Sequence, residues 1–236
     1  MCDFFHNPCS RRHLLSGIGA GSLLLSLPAV TLGSSDAMSS VSPDEALQWL
    51  KNGNQRFVSN KMEHPNLCAL RLAETVKGGQ HPFATILSCS DSRVPVEYIF
   101  DRGVGDLFVI RVAGNVADTD EIGTIEYGAG HLGTRLVVVM GHTRCGAVTA
   151  VVKGDRVGGN IPKLVDNIIP AATRVKSKSK DLSESALILE AIKENIRQAI
   201  SDIQKNSQEM AHLIQGKKVR VVGALYDLET GRVEWL

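Results

Sequence analysis

The chain has 236 residues, of which 43% are hydrophobic and 22% are charged, and its formal net charge is +1. This composition is typical of a globular protein that is long enough to bury one substantial core. It excludes the strong basic field with which nucleic-acid binders neutralise phosphates, so no nucleic-acid partner is expected. Small substrates that are uncharged or singly charged fit this balance better.

The N-terminal segment differs from the rest of the chain. The paired arginines Arg11 and Arg12 precede an apolar run, residues 16–32, that glycines and serines dilute. A charged region before a short apolar segment resembles a twin-arginine export signal. The alternative is an uncleaved membrane anchor, but Pro28 and three glycines make a poor spanning helix.

These features predict the domain boundaries and the location. We expect residues 1–37 to be an export signal and linker, with cleavage between Ala29 and Ala37, and residues 38–236 to form a single domain. The predicted location is outside the cytoplasm, in a periplasm or a thylakoid lumen, and association with a membrane is an open alternative.

The mature chain opens with a predicted helical arm. Ser42, Pro43 and Glu45 form the pattern of a capping box with proline at the first helical position, and the helix should run to about Phe57. Short apolar runs follow, which is typical of parallel strands buried on both faces: residues 83–87, 107–110, 136–140 and 219–222.

The second half of the chain completes the predicted fold. Apolar residues recur at helical spacing from Leu189 to Ile203, and Gly216 is the expected helix stop. A turn between Tyr226 and Val233 predicts a hairpin. The fold class is therefore α/β: a mainly parallel central sheet of four to five strands flanked by helices, with an N-terminal helical arm and an antiparallel C-terminal edge strand.

A basic run occupies residues 174–180, where lysines alternate with serines. The pattern predicts a solvated loop between helices. Peripheral attraction to an anionic membrane surface is the alternative interpretation.

The candidate metal ligands follow two of the predicted strands. Cys89 comes after the first strand, and His142 and Cys145 come after the third. Because the carboxyl ends of parallel strands meet at one edge of a sheet, these side chains should converge. Two thiolates and one imidazole suit zinc, one ion per subunit, and three protein ligands leave a fourth position open for water. Asp91 and Arg93 lie where they can pair beside such a site.

Two motifs resemble the zinc motifs of the β-class carbonic anhydrases. They are Cys89-Ser90-Asp91-Ser92-Arg93-Val94-Pro95 and His142-Thr143-Arg144-Cys145-Gly146, and the likeness extends through residues 106–115 and 125–127. The resemblance implies zinc held by Cys89, His142 and Cys145, with Asp91 and Arg93 as the catalytic dyad. It implies hydration of carbon dioxide to bicarbonate by a zinc-bound hydroxide, in a homodimer or a dimer of dimers.

The resemblance also implies a subtype and a substrate pocket. Some members carry a tryptophan three residues before the first zinc cysteine, which builds a regulatory bicarbonate pocket with an arginine and a tyrosine. This chain has Ile86 there, although Arg111 and Tyr226 match the other two positions, so we expect no inhibition of that kind. The pocket residues implied by the likeness to plant-like members are Gln80, Val94, Phe108, Tyr127 and Gly146.

Two other functions are compatible with the same residues. A carbonyl sulfide or carbon disulfide hydrolase resembles the same scaffold with altered access to the metal. A non-catalytic subunit with structural zinc is the second alternative, and the presence of both Asp91 and Arg93 argues against it.

Overall fold

A computed structural model describes residues 41–178 and 181–236. The export signal and linker predicted for residues 1–37, together with the expected cleavage, lie outside the described residues. Within the part of the chain that is described, no helix has the length and apolar character needed to cross a membrane.

A five-stranded sheet forms the centre of the molecule. Its strands are β1 (Ala84–Ser88), β2 (Leu107–Arg111), β3 (Leu136–His142), β4 (Arg220–Tyr226) and β5 (Val233–Trp235). Their order across the sheet is β2-β1-β3-β4-β5; the first four are parallel and β5 is antiparallel to β4. The predicted α/β class, with its antiparallel C-terminal edge strand, is confirmed.

Helices cover both faces of the sheet. In the described residues they are α1 (Pro43–Val58), α2 (Ala69–Gly78), α3 (Val96–Ile99), α4 (Thr119–Glu126), α5 (Gly146–Lys153), α6 (Ile161–Val165), α7 (Ile169–Lys178), α8 (Glu184–Asn206) and α9 (Gln208–Gln215). Two short helical turns, Ala113–Asn115 and Tyr127–His131, follow β2 and α4.

The alternation of side chains along β1 divides the core in two. Ile86 packs into a cluster with Leu50 of α1 and Ile99 of α3, whereas Leu87 packs on the opposite face with Ile192 of α8. All of these side chains are fully or almost fully buried. Since both faces are covered, the strands are continuous apolar runs rather than alternating ones.

One helix end agrees with the prediction from the sequence, and another differs from it. α1 begins with the predicted capping box, in which Ser42 Oγ accepts the Glu45 N–H at 3.2 Å and the Glu45 carboxylate accepts the Ser42 N–H at 2.9 Å. The helix expected to continue to Gly216 instead breaks at Ser207. Ser207 Oγ accepts the backbone N–H of Met210 and so caps the start of α9. The same hydroxyl donates to the carboxylate of Glu126 in α4.

The loop predicted for the basic run is wrong for residues 174–178, which belong to α7. Arg174 donates to Glu194 of α8 at 2.7 Å, so this basic residue is tied to the neighbouring helix. Lys176 and Lys178 are exposed, and residues 179 and 180 lie outside the described residues.

A buried carboxylate attaches α1 and the segment after it to the turn that follows α3. Asp101, which is 1% exposed, accepts hydrogen bonds from Arg56 Nε at 2.6 Å and from the backbone N–H groups of Glu63 and His64 at 3.0 and 2.9 Å. Burial raises the pKa of Asp101, but the hydrogen bonds from Glu63, Arg56 and His64 outweigh it, and the net pKa is lowered.

Candidate metal centre

Three candidate ligands meet at the carboxyl edge of the sheet. Cys89 directly follows β1, His142 is the last residue of β3, and Cys145 precedes the first residue of α5. Because β1 and β3 are neighbouring parallel strands, with Ser88 opposite Met140, their ends lie side by side. The two sulfurs and the imidazole nitrogen all lie within 4.8 Å of one another, and all three residues are buried.

The imidazole of His142 has one nitrogen available to a ligand. Its Nδ1 lies 2.9 Å from the carbonyl oxygen of Thr143, the arrangement in which Nδ1 carries the proton and donates it. Its Nε2 is buried and has no hydrogen-bond partner in the described residues. A histidine that binds a metal is oriented by a hydrogen bond from its other ring nitrogen, as here. Together with the two sulfurs, this nitrogen fits a tetrahedral ion such as zinc and leaves the fourth coordination position open.

The two thiols share a hydrogen bond. A hydrogen bond from Cys145 is the main reason that the pKa of Cys89 is lowered, and the same contact raises the pKa of Cys145. Two neighbouring thiolates repel each other, so the pair loses its first proton easily and its second with difficulty. A cation between the sulfurs removes this repulsion, which is why such a pair favours metal binding.

Backbone and arginine contacts hold the Cys89 loop in place. The amide N–H of Gly114 donates to Cys89 Sγ at 3.3 Å. Arg111, at the end of β2, donates to the carbonyl oxygens of Cys89 at 3.2 Å and Asp91 at 2.7 Å. Sequence reasoning gave neither residue this role; the available signal was a charged residue ending an apolar strand beside the metal edge.

An ion pair stands next to the cluster. Arg93 donates to both carboxylate oxygens of Asp91, at 2.9 and 2.7 Å, and its backbone N–H donates to the same carboxylate at 2.9 Å. Hydrogen bonding from Arg93 lowers the pKa of Asp91 well below its ordinary value. Asp91 Oδ2 is 3.8 Å from His142 Nε2, so an ionised acceptor lies beside the place where an ion would sit.

The residues predicted for the substrate pocket fall into two groups. Val94 is fully buried in the loop after Cys89, and its N–H donates to the carbonyl of Asp91 at 3.0 Å. Gly146 adjoins Cys145, and a Cβ atom there would meet nothing within 4 Å. A mainly apolar cavity of about 450 Å³ opens beside Gly146 and Ala113.

The other three pocket residues lie at the opposite end of the strands. Gln80 precedes β1, whereas Cys89 follows it. Phe108 pairs with Thr85, four residues before Cys89, and its ring lies 5.9 Å from that of Tyr127. At the usual rise of a strand this places Phe108 and Tyr127 roughly 13 Å from the cluster. A single chain therefore does not bring Gln80, Phe108 and Tyr127 to the metal edge.

Comparisons with known proteins agree with this geometry. A family model described as carbonic anhydrase matches residues 84–233. Carbonic anhydrase 2 of Mycobacterium tuberculosis is 35% identical over 199 residues, which cover 83% of this chain and 93% of that protein.

Solved structures show the same fold. The β-carbonic anhydrase CcaA gives a TM-score of 0.65 at 29% identity, over 80% of this chain and 94% of that one. Structures described as two tetrameric β-carbonic anhydrases from Sordaria macrospora give a TM-score of 0.66 at 23% identity, over 80% and 96% of the two chains, a likeness that concerns the fold.

Proposed function

The chain belongs to the β-class carbonic anhydrase family, and on that premise we propose that it catalyses the reversible hydration of carbon dioxide to bicarbonate and a proton, with one zinc ion per subunit. The observation that carries the proposal is the buried group of Cys89, His142 and Cys145, whose ligand atoms share one site. When bound, zinc supplies a Lewis acid that lowers the pKa of a water molecule and makes hydroxide available near neutral pH.

Asp91 and Arg93 are proposed as the catalytic pair. Arg93 donates to both oxygens of the Asp91 carboxylate, so the carboxylate stays ionised and is held beside the ligand set without joining it. From there it can accept a hydrogen bond from the attacking oxygen and direct the lone pair of that oxygen towards the carbon of the substrate. This pair also favours an enzyme over a subunit with merely structural zinc.

Two substitutions separate metal binding from turnover. Cys145→Ser removes a ligand and should empty the site, whereas Asp91→Asn should keep one zinc per chain yet lower kcat by about 100-fold or more. Zinc content and stopped-flow carbon dioxide hydration measure the two effects. Cys68→Ser is the matched control, because Cys68 is outside the cluster and should keep both. Equal loss of zinc in the Cys145 and Asp91 variants would refute this division of roles.

A homodimer is proposed as the minimal active unit. Helix α2 buries none of its residues and exposes Leu70, Leu72 and Val76, which are 75%, 55% and 80% accessible. A cluster of exposed apolar side chains on one helix is typical of an interaction surface. Gln80 lies two residues after this helix, so a second copy seated there would receive Gln80 at its own pocket, together with Phe108 and Tyr127 from the same end of the strands. A dimer of dimers can then form from the same unit.

Ile86 is the basis for proposing the subtype without bicarbonate regulation. Ile86 is fully buried within β1, and Arg111 is engaged with the carbonyl groups of Cys89 and Asp91. Both features favour an arginine that stabilises the catalytic loop rather than one that binds a regulatory anion.

Export is proposed from Arg11, Arg12 and the apolar run of residues 16–32. Cell fractionation with N-terminal sequencing of the mature chain tests it; an intact N-terminus in the cytoplasmic fraction would oppose it. The exposed Lys176 and Lys178 support peripheral attraction to an anionic membrane, which a high-salt wash should reverse.

A further inference from the structure

The turn after β2 presents a backbone amide to one of the metal-binding sulfurs. Gly114, in the turn Ala113–Asn115, has φ 77°, and its N–H donates to Cys89 Sγ at 3.3 Å. A Cβ atom at this position would lie 2.7 Å from Ile168 Cδ1. The left-handed backbone therefore favours glycine, and the close contact with Ile168 adds to that preference.

A side chain from a distant helix holds this turn. Asn195 of α8 is 2% exposed, and its Nδ2 donates to the carbonyl oxygen of Gly114 at 2.7 Å. Its neighbours on the buried face of α8 are apolar, among them Ile192 and Ile196. A buried amide in such a stripe is costly unless it is hydrogen-bonded, so the bond to Gly114 accounts for asparagine at this position.

We propose that Asn195 is a positioning residue of the metal centre. Asn195 holds the carbonyl of Gly114, which belongs to the peptide plane that follows the one carrying the Gly114 N–H. This contact restricts rotation of the turn from which that N–H donates to Cys89 Sγ. The donor orients the sulfur and withdraws part of the negative charge that it would otherwise give to the ion. Two thiolates cancel the formal charge of a zinc ion, so a donor to one of them keeps the ion more acidic towards water.

This inference rests on the proposed zinc site, and its test uses readouts other than activity. Asn195→Leu keeps the shape of the side chain and removes the donor, and Asn195→Ala provides a second variant should leucine be poorly tolerated. The matched control is Asn54→Leu. Asn54 is also a buried asparagine, at 7% exposure, and it joins α1 to the backbone of Gly231 and Val233, away from the cluster.

Two measurements follow on each full-length variant. Zinc affinity comes from competition with a chelator, and the absorption of the cobalt-substituted protein reports sulfur-to-metal charge transfer. Asn195→Leu and Asn195→Ala should weaken zinc affinity by about 10- to 100-fold, because Cys89 Sγ loses the contact that orients it. The charge-transfer band should move to lower energy, because the sulfur keeps more of its negative charge. Asn54→Leu should lower the denaturation midpoint but leave the affinity and the band unchanged.

The outcomes separate this inference from the proposed function. If the Asn195 variants give the same band and zinc affinity as the Asn54 control, Asn195 serves packing alone and the inference is overturned. If the unaltered protein binds neither zinc nor cobalt, the proposed function fails as well.

Discussion

Mixing two inactive variants should restore activity if each pocket is built from two subunits. One parent carries Cys145→Ser and cannot bind metal. The other carries Gln80→Ala and Tyr127→Ala, both at exposed positions, so its fold and its metal site should be intact while its contribution to a partner's pocket is lost.

The activity that the mixture should regain follows from the separation of the pocket residues from the cluster and from random pairing of the subunits. Phe108 and Tyr127 pack beside Thr85, roughly 13 Å along β1 from Cys89, a gap that no change of side-chain rotamer closes. In a random mixture, half of the sites have the intact ligands Cys89, His142 and Cys145. Independently, half of the sites receive intact Gln80 and Tyr127 from the partner. About a quarter of wild-type activity per subunit should therefore appear in a dimer of this kind.

Subunit exchange is achieved by unfolding and refolding the two parents together with zinc, and stopped-flow hydration then gives the activity. A mixture of Cys145→Ser with Asp91→Asn is the control, because both changes damage the same site. It should therefore stay below the level of the mixed pocket variants. Activity that remains at the mean of the separate parents would refute pockets shared between subunits. Full activity in the Gln80 and Tyr127 variant alone would refute the pocket assignment itself.

The remaining predictions concern stability and inhibition. Asp101→Asn leaves Arg56 without its buried partner and should cost about 3 kcal/mol in urea denaturation at pH 7. Because the pKa of Asp101 is lowered in the folded state, its contribution is complete above the unfolded pKa of about 3.9 and disappears as the pH falls through the lower folded value. The difference between the two proteins should thus shrink below about pH 4, and a gap that is independent of pH would contradict the assignment. Since Ile86 replaces the regulatory tryptophan, added bicarbonate at fixed pH and ionic strength should give ordinary product inhibition, and a cooperative loss of activity would contradict the proposed subtype.

The strands were predictable because burial on both faces leaves continuous apolar runs, such as Leu136 to Met140, that few other structures require. The meeting of Cys89 with His142 was predictable because parallel strands share an edge. Contacts between side chains that are distant in sequence were not predictable. The break at Ser207 involves a hydrogen bond to Glu126, 81 residues away. The spacing of apolar residues in a helix does not indicate such a partner.

The same reasoning explains why Asn195 and Arg111 escaped sequence analysis. Asn195 lies on an apolar face of α8, and its partner is a backbone carbonyl 81 residues earlier. No side-chain motif predicts a backbone partner. Arg111 matched a position with another role in related proteins. Its contacts with two loop carbonyls become visible only when the ends of β1 and β2 are placed side by side.

The sheet separates the residues proposed for metal binding from those proposed for the substrate pocket. The carboxyl ends of β1 and β3 supply the ligands, and the turn after β2 supplies a donor to Cys89, so metal binding depends on the register of three strands in one chain. The amino ends of the same strands carry Phe108 and its neighbours. Because a parallel sheet keeps its two edges apart, a residue from the amino edge can reach a metal only in another copy. Metal affinity is therefore expected to follow the folding of the single chain, while turnover follows its pairing.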